Sequence, residues 1–148
     1  MTDNFKFSNG QALGTLNSTG VVSTNIWDLE EDVSVDQQVL GWINGIILSS
    51  TNTGNTQGMD IELRTADNTN MSTTPLYLGG IHLTLEETIT GHRFCFGVCK
   101  ANLEKYLGIW YKATNTSLDG ATSVDCWFSE QPVAILGIQK KNASAGAS

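Results

Sequence analysis

Short stretches of the chain alternate between apolar and polar residues, which is the pattern of a β-strand with one buried face. Residues 59–67 show it most clearly, with Met59, Ile61, Leu63 and Thr65 on one side and Asp60, Glu62 and Arg64 on the other. Residues 92–99 repeat it, with His92, Phe94, Phe96 and Val98 opposite Arg93, Cys95, Gly97 and Cys99. We expect both stretches to be strands that turn their apolar side toward a core.

Other stretches are apolar or β-branched without such strict alternation. Residues 21–29 are rich in β-branched side chains and predict a strand. Residues 39–48 are almost continuously apolar and predict a strand that is buried on both faces. Residues 81–89 predict a further strand, with inward-facing side chains at Ile81, Leu83 and Leu85.

Two aromatic-rich stretches near the C-terminal end flank a polar segment. Residues 105–114 and 122–129 predict strands, and the Asp119-Gly120 step between them is typical of a turn. We therefore expect a β-hairpin with a loop of about seven residues. Trp110 and Tyr111 are neighbours on its first strand, so their side chains point to opposite faces and at least one belongs to a core.

Together these patterns predict an all-β fold with little or no helix. About eight antiparallel strands joined by polar turns are typical of a β-sandwich or jelly roll. We expect an extended N-terminal arm over residues 1–20, the sandwich over residues 21–130, and a C-terminal strand or arm with a flexible tail over residues 131–148. A chain of 148 residues needs no metal or disulfide for stability, because a domain of this size buries about 68–70% of its unfolded surface.

Net charge and hydropathy each argue against one class of partner. The formal net charge is −7, and a surface of that sign repels the phosphate backbone of nucleic acids. No apolar run reaches the ~18 residues of a membrane span. The first ten residues lack the layout of a secretory signal, so we expect synthesis in the cytosol and reduced thiols at Cys95, Cys99 and Cys126.

No pattern in the chain predicts catalysis, a cofactor or a metal site. A strand places Cys95 and Cys99 about 13 Å apart, whereas one zinc ion needs thiolates about 2.3 Å from it. His82 and His92 lie in predicted strands without a nucleophile beside them. Asp60, Glu62, Glu86 and Glu87 offer carboxylates for a glycosidase pair, but alternating acids on a strand are more typical of a solvated face.

Sugar binding is the alternative function that the residues themselves leave open. β-Sandwiches can display aromatic rings that stack on sugars, and the candidates here are Trp27, Trp42, Trp110, Tyr111 and Trp127. Most large aromatic residues in such sheets belong to the core, where each buries about 150–250 Å². The sequence does not separate core rings from exposed ones.

Five segments of residues 10–130 follow one another in a characteristic order. They are "VVSTNIWDL" with its aliphatic-x-Asp-Leu ending, "VLGWINGIIL" after an acidic loop, "MDIELRTADN" with its Leu-x-Thr-x-Asp ending, "TGHRFCFGV" with its Gly-x-x-Phe step, and "KYLGIWYKATNTSLDGATSVDCWF". In this order the chain resembles the jelly-roll cement, or decoration, proteins on the capsids of short-tailed bacteriophages.

The resemblance implies a structural protein of the virion rather than an enzyme, without a cofactor. Such a protein is made in the host cytoplasm, binds the major capsid protein on the outer surface of an icosahedral head, and stabilises the boundaries between capsomers. The resemblance also implies a homodimer or a trimer, with no direct contact to nucleic acid or membrane. The alternative is a carbohydrate-binding module of a phage tail, fibre or adhesin.

We expect partner contacts at the sheet edges and on the two arms. The candidate interface residues are Phe5, Phe7, Leu13, Leu16, Trp110, Ile135, Ile138, Lys140 and Lys141. The last two are the predicted basic anchors on an acidic neighbour.

Overall fold

Nine strands make up the regular structure of the described part of the chain. The computed structural model describes residues 6–28, 41–51, 58–71, 75–98, 104–115, 117–118 and 120–129. The strands are β1 Lys6–Gly14, β2 Val21–Val22, β3 Trp27–Asp28, β4 Gly41–Ser50, β5 Met59–Ala66, β6 Leu76–Leu83, β7 Arg93–Val98, β8 Tyr106–Ala113 and β9 Thr122–Ser129. These ranges contain no helix.

The strands form two antiparallel sheets that face each other. The first sheet has the order β1-β9-β4-β7, and the second has the order β2-β8-β5-β6 with β3 also paired to β8. Between consecutive strands the chain crosses to the other sheet, except from β2 to β3 and from β5 to β6. The prediction of an all-β sandwich is confirmed.

Alternating side chains from both sheets build the core. On β5, Met59, Ile61 and Leu63 are fully buried and alternate with half-buried polar residues, as predicted. On β7, Phe94 and Phe96 point inward as predicted. Apolar residues of both sheets form one continuous cluster, which places the core between the sheets.

The N-terminal segment belongs to the sandwich itself. Residues 6–14, predicted to be part of an arm, form the edge strand β1, which pairs with β9. Phe7, Leu13 and Leu16 are buried in the main core. The proposed boundary at residue 21 therefore falls inside the sandwich, because this Gly- and Asn-rich segment supplies apolar residues that complete the core.

A polar bridge connects the two sheets through the core. Tyr111 on β8 is fully buried, and its hydroxyl lies 2.7 Å from the Ser8 hydroxyl on β1. Ser8 Oγ donates to Gln11 Oε1 at 2.7 Å, so the Tyr111 hydroxyl is the donor to Ser8. Burial raises the pKa of Tyr111 well above its ordinary value, and the hydroxyl therefore keeps the proton that it donates.

The predicted hairpin of β8 and β9 is wrong. β8 lies inside the second sheet beside β5, whereas β9 lies inside the first sheet between β1 and β4. The connection crosses the sandwich and is held by neighbouring loops, since Leu118 N–H donates to Leu16 O and Thr51 N–H donates to Ala121 O. The glycine at position 120 correctly predicted a loop between β8 and β9, but it did not show that these two strands belong to different sheets.

The strand predicted over residues 81–89 ends early. β6 stops at Leu83, and Thr84 begins a turn in which the Thr84 N–H donates to Glu87 Oε1 at 2.9 Å and Thr84 O accepts from Thr88 N–H at 3.0 Å. This is the Thr-x-x-Glu capping arrangement, which starts a helical turn rather than continuing a strand. The bond from the Thr84 N–H also lowers the pKa of Glu87.

Candidate functional site

The outer face of the first sheet carries apolar side chains near its centre. β4 turns Ile43 and Ile47 into the core, while Trp42 and Ile46 lie half-buried on the opposite side of the strand. The sequence predicted that this strand is buried on both faces. The core side is fully buried, whereas Trp42 and Ile46 on the outer side are only half-buried. An antiparallel sheet whose outer face meets only water carries polar residues there, so this face departs from the rule.

Trp127 on β9 adds a second indole ring to the same face. The register pairs Trp127 with Asn44 and Trp42 with Ser129, so the two tryptophans lie on neighbouring strands one diagonal step apart. The Trp42 ring extends toward β7, where a Cβ on Gly97 would lie 3.4 Å from it. We refer to Trp42, Ile46 and Trp127 together as the tryptophan face.

A buried amide lies within the tryptophan face. Asn44 is only 1% exposed, and its Nδ2 donates to Ser129 Oγ at 2.8 Å. Its Oδ1 is buried without a hydrogen-bond partner among the described residues. An acceptor in that situation costs about 1–3 kcal/mol of stability. Buried polar atoms without a hydrogen bond are found mainly at sites that are kept for function rather than for stability.

Two thiols in the described residues differ in depth, and neither is activated. Cys126 is fully buried beside Tyr111, and burial raises the pKa of its thiol to about 12. Cys95 is half-buried on the outer side of β7, and burial raises its pKa as well. Both therefore behave as small apolar side chains rather than as nucleophiles. Cys99 lies outside the described residues.

We expect Cys126 to resist alkylation in the native protein. At pH 8 a thiol with a pKa of about 12 is ionised in about one molecule in ten thousand, and the core also blocks access to it. Iodoacetamide labelling followed by peptide mass spectrometry measures this directly, with the protein unfolded in urea as the fully reactive reference. Equal labelling of Cys126 in the native and unfolded protein would contradict its placement in the core.

A shallow groove lies on the outer face of the second sheet, between β5 and β6. Its volume is about 240 Å³, and it is lined by Asp60, Ile61, Glu62, Tyr77, Gly80, Ile81 and His82. We refer to it as the β5–β6 groove. Asp60 Oδ1 lies 2.7 Å from His82 Nδ1 across the two strands, and Thr114 Oγ1 lies 3.2 Å from the same ring nitrogen.

Charged side chains next to the groove form a balanced network. Glu62 accepts from Arg64 at 2.8 Å and lies 3.7 Å from the Lys112 ammonium. The Arg64 guanidinium also stacks 4.5 Å from the centre of the Trp110 ring and donates to Met71 O at 3.1 Å. The carboxylate of Glu62 is thus paired on both sides, and Arg64 joins the sheet to the turn that follows β5.

The structure places four of the predicted interface residues inside the molecule. Phe7, Leu13 and Leu16 belong to the main core, and Trp110 lies in a smaller buried cluster with Ala66 and Met71. Their apolar character reflects packing within the chain, which leaves little of these four side chains for the predicted partner contacts. The remaining candidates, Phe5, Ile135, Ile138, Lys140 and Lys141, lie outside the described residues.

The five aromatic residues considered for sugar stacking separate into core and surface rings. Tyr111 is in the main core and Trp110 is buried on the opposite side of β8, as their adjacent positions required. Trp27 packs against the core and contacts Phe128 edge-on at 5.7 Å. The tryptophan face contains the other two.

Sequence reasoning missed Tyr77, which is 63% exposed and is the most exposed aromatic residue in the described part of the chain. Strict alternation from the inward-facing Leu83 through Ile81 would turn Tyr77 toward the core. Leu63 pairs with Gly79 whereas Arg64 pairs with Tyr77, so β6 holds one extra residue, Leu78, at a bulge. The bulge turns Leu78 inward and Tyr77 outward. The Gly79-Gly80 pair was the available signal for such an irregularity.

The described residues contain no group of three or more His, Cys, Asp and Glu side chains placed to hold a metal ion. In the same ranges no helix is long and apolar enough to cross a membrane.

Comparison with protein-family models and with curated proteins finds no match for this chain.

Proposed function

We propose that this protein is a capsid decoration protein that binds the outer surface of an icosahedral phage head through its tryptophan face. The observation that carries the proposal is the position of Trp42, Ile46 and Trp127 on the outer side of a central pair of strands. Clustered apolar side chains on an outer surface are typical of sites where another protein binds. Tryptophan is also enriched among the residues that dominate binding energy.

The strand order supports the jelly-roll assignment. If β2 and β3 are counted as one interrupted strand, the chain has eight strands with the sheet orders 1-8-3-6 and 2-7-4-5. This order agrees with the one expected for a jelly roll, an architecture found in viral capsid proteins and in lectins. The architecture admits both of the functions considered for the sequence, and therefore the surface has to distinguish them.

The charge and the construction of the domain suit a position outside a DNA-filled shell. A net charge of −7 disfavours contact with packaged nucleic acid. Two hydrogen-bonded sheets with a polar bridge through the core give a stiff unit that holds neighbouring subunits in place. Several modest contacts to the capsid protein and to a second or third copy of the chain add up, because the lattice presents all of them together.

A reconstitution experiment tests the proposal. The purified chain is added in increasing amounts to shells assembled from the major capsid protein of the virus that encodes it, and the bound fraction is measured by sucrose-gradient sedimentation. We expect saturable binding at a fixed ratio to the capsid protein. A chain that stays at the top of the gradient at every concentration would refute the proposed function.

A further inference from the structure

We propose that the β5–β6 groove binds a single neutral sugar ring. The groove lies on the outer face of the second sheet, so it faces away from the tryptophan face on the other side of the sandwich. The inference therefore goes beyond the proposed attachment to a capsid. A volume of about 240 Å³ lies below the ~300–1,000 Å³ of pockets that enclose drug-sized ligands, and it limits the ligand to about one ring.

Tyr77 provides an exposed aromatic surface in the groove. Its side chain is 63% exposed, and the bulge at Leu78 directs it to the outer face of the sheet. The phenol lies over Gly80, since a Cβ at that position would be 2.9 Å from the Tyr77 hydroxyl. Glycine thus leaves the room in which the ring lies along the sheet. An exposed ring of this kind can pack against the C–H face of a pyranose.

Hydrogen-bonding groups stand beside the aromatic ring. His82 Nδ1 is held by Asp60 Oδ1 at 2.7 Å, which fixes the imidazole across the two strands. The hydrogen bonds of the imidazole to Asp60 and Thr114 run through Nδ1, so Nε2 is the ring nitrogen that would bond a sugar hydroxyl. The carboxylate oxygens of Asp60 and Glu62, which also line the groove, can accept hydrogen bonds from the hydroxyl groups of a sugar.

The charge balance of the groove favours a neutral ligand. Glu62 is paired with Arg64 and Lys112, and Asp60 is hydrogen-bonded to His82. A metal ion or a free cation would have to compete with these partners, and an anion would meet two carboxylates. A polyol can bind without forming an ion pair with the groove, because its hydroxyl groups both donate and accept hydrogen bonds.

The test is an NMR titration of the full-length ¹⁵N-labelled chain with glucose, galactose, mannose and N-acetylglucosamine, each up to 50–100 mM. We expect at least one sugar to produce saturable shifts at residues of β5 and β6 that line the groove. Tyr77→Ala should reduce the affinity at least tenfold, whereas Tyr77→Phe should retain most of it because the ring remains. Leu76→Ala is the matched control, since Leu76 is exposed on the same strand but does not line the groove.

The titration can show either that the chain binds no sugar or that sugars bind it away from Tyr77. Absence of saturable shifts with all four sugars would overturn it, and so would shifts that persist unchanged in Tyr77→Ala. A dispersed amide spectrum of each variant shows that it is folded. Loss of sugar binding in Tyr77→Ala with full attachment to shells would support the groove independently of the proposed function.

Discussion

Tyr111→Ala is expected to destabilise the protein by about 3–5 kcal/mol, the range for removing a large buried aromatic residue. Tyr111 is fully buried between the sheets, and its hydroxyl donates across the core to Ser8. The substitution removes both the packing of the ring and the bridge between the sheets. A domain of this size has a free energy of unfolding of about 5–15 kcal/mol, so the loss is a large fraction of the total. Urea denaturation followed by tryptophan fluorescence measures it.

Two other tyrosine variants separate the contributions. Tyr111→Phe keeps the ring and removes the hydroxyl, and we expect a loss of about 1 kcal/mol because Ser8 still has Gln11 as a partner. Tyr77→Ala removes an exposed ring, and we expect a change within about 0.5 kcal/mol. Equal losses for Tyr111→Ala and Tyr77→Ala would mean that Tyr111 is not a core residue.

On the proposed function, Trp127→Ala is expected to weaken attachment to the capsid shell by about 2 kcal/mol or more, which is about a 30-fold rise in Kd. Trp127 lies on the outer face of a central strand and is half-buried, so its truncation removes contact area for a partner more than it removes core packing. We expect the domain to lose about 1–2 kcal/mol of stability and to remain folded. Sedimentation of the variant with assembled shells over a concentration series gives the Kd.

The matched control for this prediction is Ile89→Ala. Ile89 is 50% exposed in the turn between β6 and β7 and is not one of the three residues of the tryptophan face, so its truncation should leave shell binding unchanged. Trp42→Ala should reproduce the effect of Trp127→Ala from the neighbouring strand. If all three variants bound shells as tightly as the unmodified chain, the tryptophan face would not be the attachment surface.

The two outer faces of the sandwich differ in chemistry in a way that favours separate roles. The first sheet presents Trp42, Ile46 and Trp127 around the buried Asn44, which suits a dry contact with another protein. The second sheet presents Glu62, which is paired with Arg64, and Asp60, which is hydrogen-bonded to His82, beside an exposed tyrosine; this suits a small polar ligand. Both faces lie on strands rather than on loops, and strands hold side chains in better-defined positions.

Parts of the candidate sites were predictable from the sequence. Trp42 and Trp127 were named as rings that could lie at the surface, but their side of the sheet was not known. Phe7, Leu13 and Leu16 were predicted to contact a partner because the glycines and asparagines around them are typical of an arm. An apolar side chain looks the same in a sequence whether its own core or a partner covers it, and only the packing of β1 against β9 distinguished the two.

The sequence by itself determined the strand content and the faces of the regular strands. A side-chain period of two is a local property, so the inward residues of β5 and β7 followed directly from their order along the chain. The tertiary structure alone decided the pairing of strands and the exceptions to the period. β8 and β9 lie in different sheets because each completes the centre of one, and such pairing depends on contacts distant in sequence. Tyr77 faces outward because one extra residue in β6 shifts the register there.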